Sequence, residues 1–267
     1  MSGSGEAGPG ETGRGCAIAV LAKAPRPGQV KTRLSPPLLP EEAAMMSAAF
    51  LRDITANIAE AARVAHGDGA ITGWVAYAPA GLEGLFDGLL EPGTELVLAD
   101  GEIEASPDVQ GFGLCLLHAV RALLAEGFGS VCLLNSDGPT LPTSLLAEAA
   151  RRLAKPGDRA VFGPAEDGGY YLLGLKAAHA RLFGDIDWST ERVADQTRAR
   201  ADEIGLELVE LPPWYDVDDA AALRRLLEGR ALGGLTPYPA PMTSALVARL
   251  GLAERLRALA QVATMDP

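Results

Sequence analysis

The chain has 267 residues, 48% of them hydrophobic, enough for one sizeable core. Its 23 Lys and Arg face 35 Asp and Glu, a formal net charge of -12; this argues against a nucleic-acid polymer or an anionic membrane surface as partner, because both need basic surface. Three cysteines without a Cys-x-x-Cys pair argue against a disulfide framework or a thiolate zinc site and fit a cytoplasmic, reducing compartment.

Residues 1–15 are glycine-rich and predict a disordered tail. Gly8-Pro-Gly10-Glu-Thr-Gly13 spells G-x-G-x-x-G, but it precedes the first strand and so is no dinucleotide fingerprint. The tail lacks the basic start of a signal peptide, and no apolar run is long enough for a membrane span. Cys16 to Ala22 predicts the first strand. It empties into Lys23-Ala-Pro-Arg-Pro-Gly-Gln-Val-Lys31-Thr-Arg33, where Lys23, Arg26, Lys31 and Arg33 crowd together in an acidic chain. Like charges repel, so an anion should offset the crowding, and a di- or triphosphate is the natural candidate. Lysine supplies a point charge, arginine a planar fork for phosphate oxygens, and Gly28 a close backbone approach. Lys23, Pro27, Gly28, Lys31, Thr32 and Arg33 are therefore the expected phosphate-binding set. The loop is not a Walker A, because Val30 instead of glycine precedes Lys31.

Pro40 to Val64 predicts a helix, with proline in its first turn and Leu51, Ile54, Ile58 and Ala61 on one face. Strands follow at Gly73 to Ala78 and Glu95 to Ala99, then a well-buried helix at Phe112 to Ala125. Ser130 to Leu134 predicts a strand and Leu141 to Leu153 a helix. Ala160 to Gly163 and Tyr170 to Leu175 predict strands joined by a short turn. Thr190 to Ile204 predicts a helix, Glu207 to Leu211 a strand and Asp218 to Leu227 a helix. The alternation predicts an α/β fold with helices on both faces of a mostly parallel sheet and one antiparallel excursion at Tyr170. Residues 16–228 form this domain, and 229–241 read as a Gly- and Pro-rich linker. Residues 242–262 read as one amphipathic helix, with Leu246, Leu250, Leu256 and Ala260 sharing a face. It should pack on the domain or on a second subunit, as a homodimer. His66, His118 and His179 are isolated and read as structural or surface residues.

In such sheets ligands gather at the carboxyl ends of strands. The basic loop follows the first strand and Asn135-Ser136-Asp137 ends a later one, so both should face one crevice. Asp137 is sited to hold Mg²⁺ or Mn²⁺ against a diphosphate, although Asp-Gly-Pro is also strong turn chemistry. Glu166-Asp167-Gly168-Gly169-Tyr170-Tyr171 combines two carboxylates, two glycines and two phenols suited to a sugar or polar acceptor, with one carboxylate as the candidate general base; a hairpin turn is the structural alternative. Trp188-Ser189-Thr190 either opens a helix toward substrate or supplies an ordinary N-cap. Asp216 and Asp218 either complete a metal site or cap the next helix.

Taken together, Lys23 to Leu34, Asn135 to Leu141, Gly163 to Gly174, Asp187 to Thr190 and Asp216 to Asp218 resemble the DUF2064 family of bacterial glycosyltransferase-like proteins. That family is part of the nucleotide-diphospho-sugar transferase (GT-A) superfamily. The resemblance runs from Cys16 to Leu227 and implies a three-layer α/β/α GT-A-type fold, a nucleotide and a divalent metal. It carries the phosphate loop onto Lys23, Lys31 and Arg33, the metal aspartate onto Asp137, and the substrate motif onto Asp167, Gly168, Gly169 and Tyr170. Two positions depart from the pattern: Asn135 stands where many glycosyltransferases have the first acid of D-x-D, and Leu114 where the family has an acid. The expected function is a metal-dependent transferase with a nucleotide-sugar donor, in which Lys31, Arg33 and Asp167 act on the reacting groups. A nucleotidyltransferase that joins an NTP to a small phosphorylated acceptor and releases pyrophosphate is the close alternative. A nucleotide-binding module without turnover is the third.

Overall fold

The structure is a computed structural model that describes residues 13–65, 70–229 and 233–263, with side chains described to residue 258. Residues 1–12 of the expected tail, His66, and residues 230–232 of the expected linker lie outside the described residues, as does the side chain of Ala260.

Among the described residues seven strands form one sheet: β1 (Cys16–Lys23), β2 (Ile71–Ala78), β3 (Glu95–Leu98), β4 (Ser130–Asn135), β5 (Ala160–Pro164), β6 (Tyr170–Leu175) and β7 (Leu208–Glu210). Their order is β3-β2-β1-β4-β6-β5-β7. All neighbours are parallel except β6, which runs antiparallel to both β4 and β5. The α/β class, the mostly parallel sheet and the excursion at Tyr170 are as the alternating pattern predicts. The order reverses direction between β1 and β4, which opens a crevice outside their carboxyl ends.

Strand β1 shows how one sequence serves two layers. Ile18 and Val20 point to one face, Ala17 and Ala19 to the other, and all four are fully buried. The larger pair packs among α1 (Pro40–Val64), α3 (Thr143–Leu153), α5 (Ala220–Glu228), α6 (Pro241–Arg249) and α7 (Leu252–Ala263). The alanines let α2 (Phe112–Ala125) come close through Leu116, Leu117 and Val120, with α4 (Val193–Glu203) beside it.

Three local expectations change. Residues 242–262 are two helices, because Gly251 at φ 59° turns the chain after Leu250. Their apolar face, with Leu246, Leu252 and Leu256, is buried on the chain's own core. Helix α4 starts at Val193: Thr190 Oγ1 donates to Asp187 O (2.7 Å), and neither Ser189 nor Thr190 caps it. Helix α5 is capped by Asp219, which accepts from Ala222 N at 2.8 Å, and not by Asp216 or Asp218. Both carboxylates are thereby left for other partners.

Asp53, buried in α1, supplies an unexpected joint. Its two oxygens accept from Met242 N (3.0 Å) and Thr243 N (2.7 Å), the first amides of α6. The residue preceding α6, Ala240, has no side chain to cap them, so α1 provides the cap from outside.

Candidate active site

The crevice is a cavity of about 680 Å³ lined by residues of the basic loop, the ends of β1, β2 and β4, the start of α2, the β5–β6 turn, residues 188–193, and Asp216 and Asp218. Lys23, Lys31, Thr32, Arg33, Asp137, Asp167, Gly169, Tyr170, Trp188, Ser189, Thr190, Asp216 and Asp218 all line it. Pro27, Gly28, Glu166 and Gly168 do not.

Each absence has a local reason. Pro27 and Gly28 form the exposed crest of the loop, with Gly28 at φ 72° in the turn closed by Gln29 N donating to Arg26 O (3.0 Å). Glu166 is turned away by Arg225, whose guanidinium engages both carboxylate oxygens and lies 4.1 Å over the Tyr215 ring. That contact holds the Glu166 carboxyl below its ordinary pKa. Gly168, at φ 88°, lies against the backbone of Glu191; a Cβ there would come within 2.2 Å of Glu191 O. Its carbonyl accepts from Ala194 N (2.8 Å), so it fastens the turn to the start of α4.

Lys31 is at the centre of the polar end. Its backbone is left-handed (φ 49°, ψ 37°), directly before a single 3-10 turn at Thr32–Leu34. This swings the side chain inward, where it is only 6% exposed. Nζ is 2.5 Å from Asp137 Oδ1 and donates to Asp218 Oδ1 (3.0 Å) and Val217 O (3.0 Å). It also lies 5.1 Å from the centre of the Phe50 ring. Val217 N donates to Asp137 O (2.8 Å), which ties the end of β4 to the Asp216–Asp218 segment.

The carboxyls respond differently. Burial works against ionisation of Asp137, but the Lys31 ammonium and hydrogen bonds from Lys31 and Ser136 outweigh it and hold the pKa low. Asp218 is raised, by burial and then by the charge of Asp137. Asp216 is pushed up to about 8, by burial and then by Asp137, Asp167 and Asp218. Its Oδ1 is buried and accepts no hydrogen bond among the described residues. An unpartnered buried carboxyl oxygen beside two further carboxylates is a donor set suited to a hard divalent cation. As the side chains stand, no group of three or more His, Cys, Asp or Glu among the described residues is arranged to hold one.

Asn135 explains one departure from the D-x-D pattern. Its Nδ2 donates to Tyr170 O (2.8 Å) and bridges β4 to the start of β6. Asp167 Oδ1 accepts from Gly169 N (2.9 Å), which closes the turn and keeps the exposed carboxylate at the crevice. Tyr170 is buried; its ring packs 5.5 Å from Phe162, and burial raises its phenol pKa. It forms wall, and its hydroxyl has no partner among the described residues.

The apolar part of the lining includes Ala76, Ala78, Ala99, Phe112 and Cys115. Phe112 was expected in a well-buried helix, yet it is 48% exposed and meets Trp188 edge to face at 5.4 Å. Gly113 makes this junction fit, since a Cβ would come within 2.7 Å of Phe183 O and 3.2 Å of the indole Nε1. Phe112, Cys115, Gln29 and Glu191 are lining residues that the sequence reading did not single out; the glycines flanking Phe112 were the available signal.

The resemblance to the DUF2064 family holds: its model, described as an uncharacterized protein conserved in bacteria, matches residues 62–190. The match takes in Asp137, the β5–β6 turn and Trp188, and stops short of the basic loop and Asp216. The fold is that of the nucleotide-diphospho-sugar transferases. A crystal structure from Desulfovibrio desulfuricans G20, described as a candidate nucleotide-diphospho-sugar transferase, is 27% identical, with TM-score 0.73 over 91% of this chain and 97% of that one. A nucleotidyl transferase from Methanothermobacter thermautotroptrophicus shares the fold at 14% identity, with TM-score 0.50 over 81% of this chain and 97% of that one. No curated protein matches the sequence.

Proposed function

We propose that this chain, with its DUF2064 match and transferase-type fold, is a cytoplasmic, metal-dependent transferase that takes a nucleotide-diphospho-sugar donor and a small-molecule acceptor. The observation that carries the reading is the pairing of Lys31 with Asp137 and Asp218, beside the unpartnered Asp216, at the carboxyl ends of β1 and β4. Asp137, Asp216 and Asp218 would hold Mg²⁺ or Mn²⁺. Bound there, the ion supplies positive charge for the phosphates of the departing nucleotide.

The chain's own groups supply the rest. Arg33 and Lys23 neutralise charge that grows on the leaving diphosphate, and their placement before reaction is what lowers the barrier. Asp167, held by Gly169 N, takes the proton from the acceptor hydroxyl. Phe112 and Trp188 offer an apolar wall that excludes water and orients a ring.

Nucleotidyl transfer is the second reading, favoured by one observation. Three cations, Lys23, Lys31 and Arg33, line the cavity, a number that suits a triphosphate. Thermal stability against NTPs and nucleotide-sugars, each with and without Mg²⁺ or Mn²⁺, tests both. A ligand at about 100 times its dissociation constant adds roughly 2.7 kcal/mol. Metal-dependent stabilisation by a nucleotide-sugar, followed by transfer to an acceptor, supports glycosyl transfer. Stabilisation by an NTP with pyrophosphate release supports the second reading. Binding without product in either assay reduces the protein to a nucleotide-binding module.

A further inference from the structure

Lys31 presents a conflict. A lysine in a phosphate loop should have its ammonium free for the ligand, yet all three of its N–H bonds are engaged. They meet Asp137 Oδ1 at 2.5 Å, Asp218 Oδ1 at 3.0 Å and Val217 O at 3.0 Å, and the side chain is almost completely enclosed. The oxygens it holds are the ones a divalent ion would need. Two cations cannot share this carboxylate pair without strong repulsion. Asp216, one residue away from the Val217 carbonyl that Lys31 holds, keeps a buried oxygen without a partner, so the ammonium leaves the acid set incompletely satisfied.

The route out is also visible. Lys31 takes a left-handed backbone conformation that L-residues adopt at a cost, and half-buried Val30 separates it from an exposed stretch from Arg26 to Gln29. On its other side Thr32 and Arg33 are exposed. The residue is therefore strained inward from a segment with room to move.

Resting on the metal-dependent reading above, we propose that Lys31 is a tethered cation that occupies the Asp137–Asp218 pair in place of the divalent ion and leaves it when phosphate groups draw the ammonium away. Ion and phosphate then bind as a coupled pair: the phosphates remove the competitor from the carboxylates, and the ion takes the oxygens it vacates. Linkage makes the coupling reciprocal, so the ion strengthens phosphate binding by the same factor. The protein alone is a poor metal binder for all its acidic residues.

Free Mn²⁺ is measured by electron paramagnetic resonance in titrations of the full chain without nucleotide, for the wild type, Lys31→Met, Arg33→Gln and Asp137→Asn. We expect Lys31→Met to bind Mn²⁺ at least tenfold more tightly than the wild type, with the gain lost when Asp137→Asn is added. Arg33→Gln removes the same charge from the same loop without opening the pair, and it should change affinity less than threefold. Equal affinity in the wild type and Lys31→Met overturns the proposal, as does an equal gain in Arg33→Gln, which would reduce the effect to net charge. Should Lys31→Met fail to fold, the wild type alone decides: tight Mn²⁺ binding without nucleotide that Asp137→Asn abolishes overturns the proposal, and weak binding supports it. A separate arm adds UDP-glucose or CTP with Mn²⁺ to the wild type and follows thermal stability. No metal-dependent stabilisation by either sinks the underlying reading itself, and with it the proposal.

Discussion

Asp216→Asn should stabilise the metal-free protein. Asp216 has its pKa raised from 3.8 to about 8, first by burial and then by the carboxylates around it. A group whose pKa is raised on folding makes the folded state bind its proton more tightly, so it stabilises the fold least where the proton is absent. The penalty therefore begins above about pH 4, grows with pH and levels off above about pH 8. At about 1.4 kcal/mol per unit, it is on the order of 4 kcal/mol at pH 7. Asparagine keeps the shape and removes the charge, but its amide nitrogen finds no better company, so about half, roughly 2 kcal/mol, should be recovered. In a chain of this size that is a rise in melting temperature of roughly 4–8 °C. The assay is thermal unfolding in EDTA from about pH 5 to about pH 8, where the gap between variant and wild type should widen as pH rises. Millimolar Mg²⁺ or Mn²⁺ with nucleotide should reverse the order, because the wild type alone keeps the full acid set. A variant that melts below the wild type throughout, or an offset that ignores pH, would refute the reasoning.

Three further outcomes are expected. Asp137→Ala should lower turnover by roughly 10²-fold or more while far-ultraviolet circular dichroism stays native; unchanged turnover removes Asp137 from the mechanism. Asp53→Ala strands the first amides of α6 and should cost about 2–4 kcal/mol in urea unfolding, whereas a surface carboxylate of α1 such as Glu41 should cost under about 0.5 kcal/mol. Gly168→Ala drives a methyl into the Glu191 backbone at a left-handed position and should destabilise by about 2 kcal/mol or more; a neutral result would mean that the β5–β6 turn does not rest on α4 as described.

Much of the frame was legible because its signals are local. Pro40 and the spacing of Leu51, Ile54, Ile58 and Ala61 define α1 at both ends. The Asp-Gly turn announces the antiparallel β6. Where several local signals compete, the reading fails. Ser189 and Thr190 have cap chemistry, but Ser189 takes φ 66° and Thr190 gives its hydroxyl to Asp187, so α4 starts later. Leu246, Leu250 and Leu256 keep helical spacing straight through the break at Gly251, which hides two helices inside one pattern. The candidate site's residue types were visible as motifs, but their pairing was not. Lys31 meets Asp218 across 187 positions, and no spacing rule connects them. Asn135 looks like a missing acid until its bridge to Tyr170 is seen.

Arg255 in α7 donates to both oxygens of Glu42 (2.9 Å each), across 213 positions, and to Pro37 O, across 218. Glu42 in turn accepts from Leu39 N (2.8 Å) at the head of α1. The exit of the basic loop is therefore bolted from far along the chain, and α6 rests on Asp53 in the same helix. Contacts of such long range require a large loop to be closed before they reward folding. The basic loop lies far before these anchors in the chain, so the far support of its exit depends on residues beyond Pro241. A chain cut before Pro241 would therefore carry the basic motif without the contacts that anchor its exit.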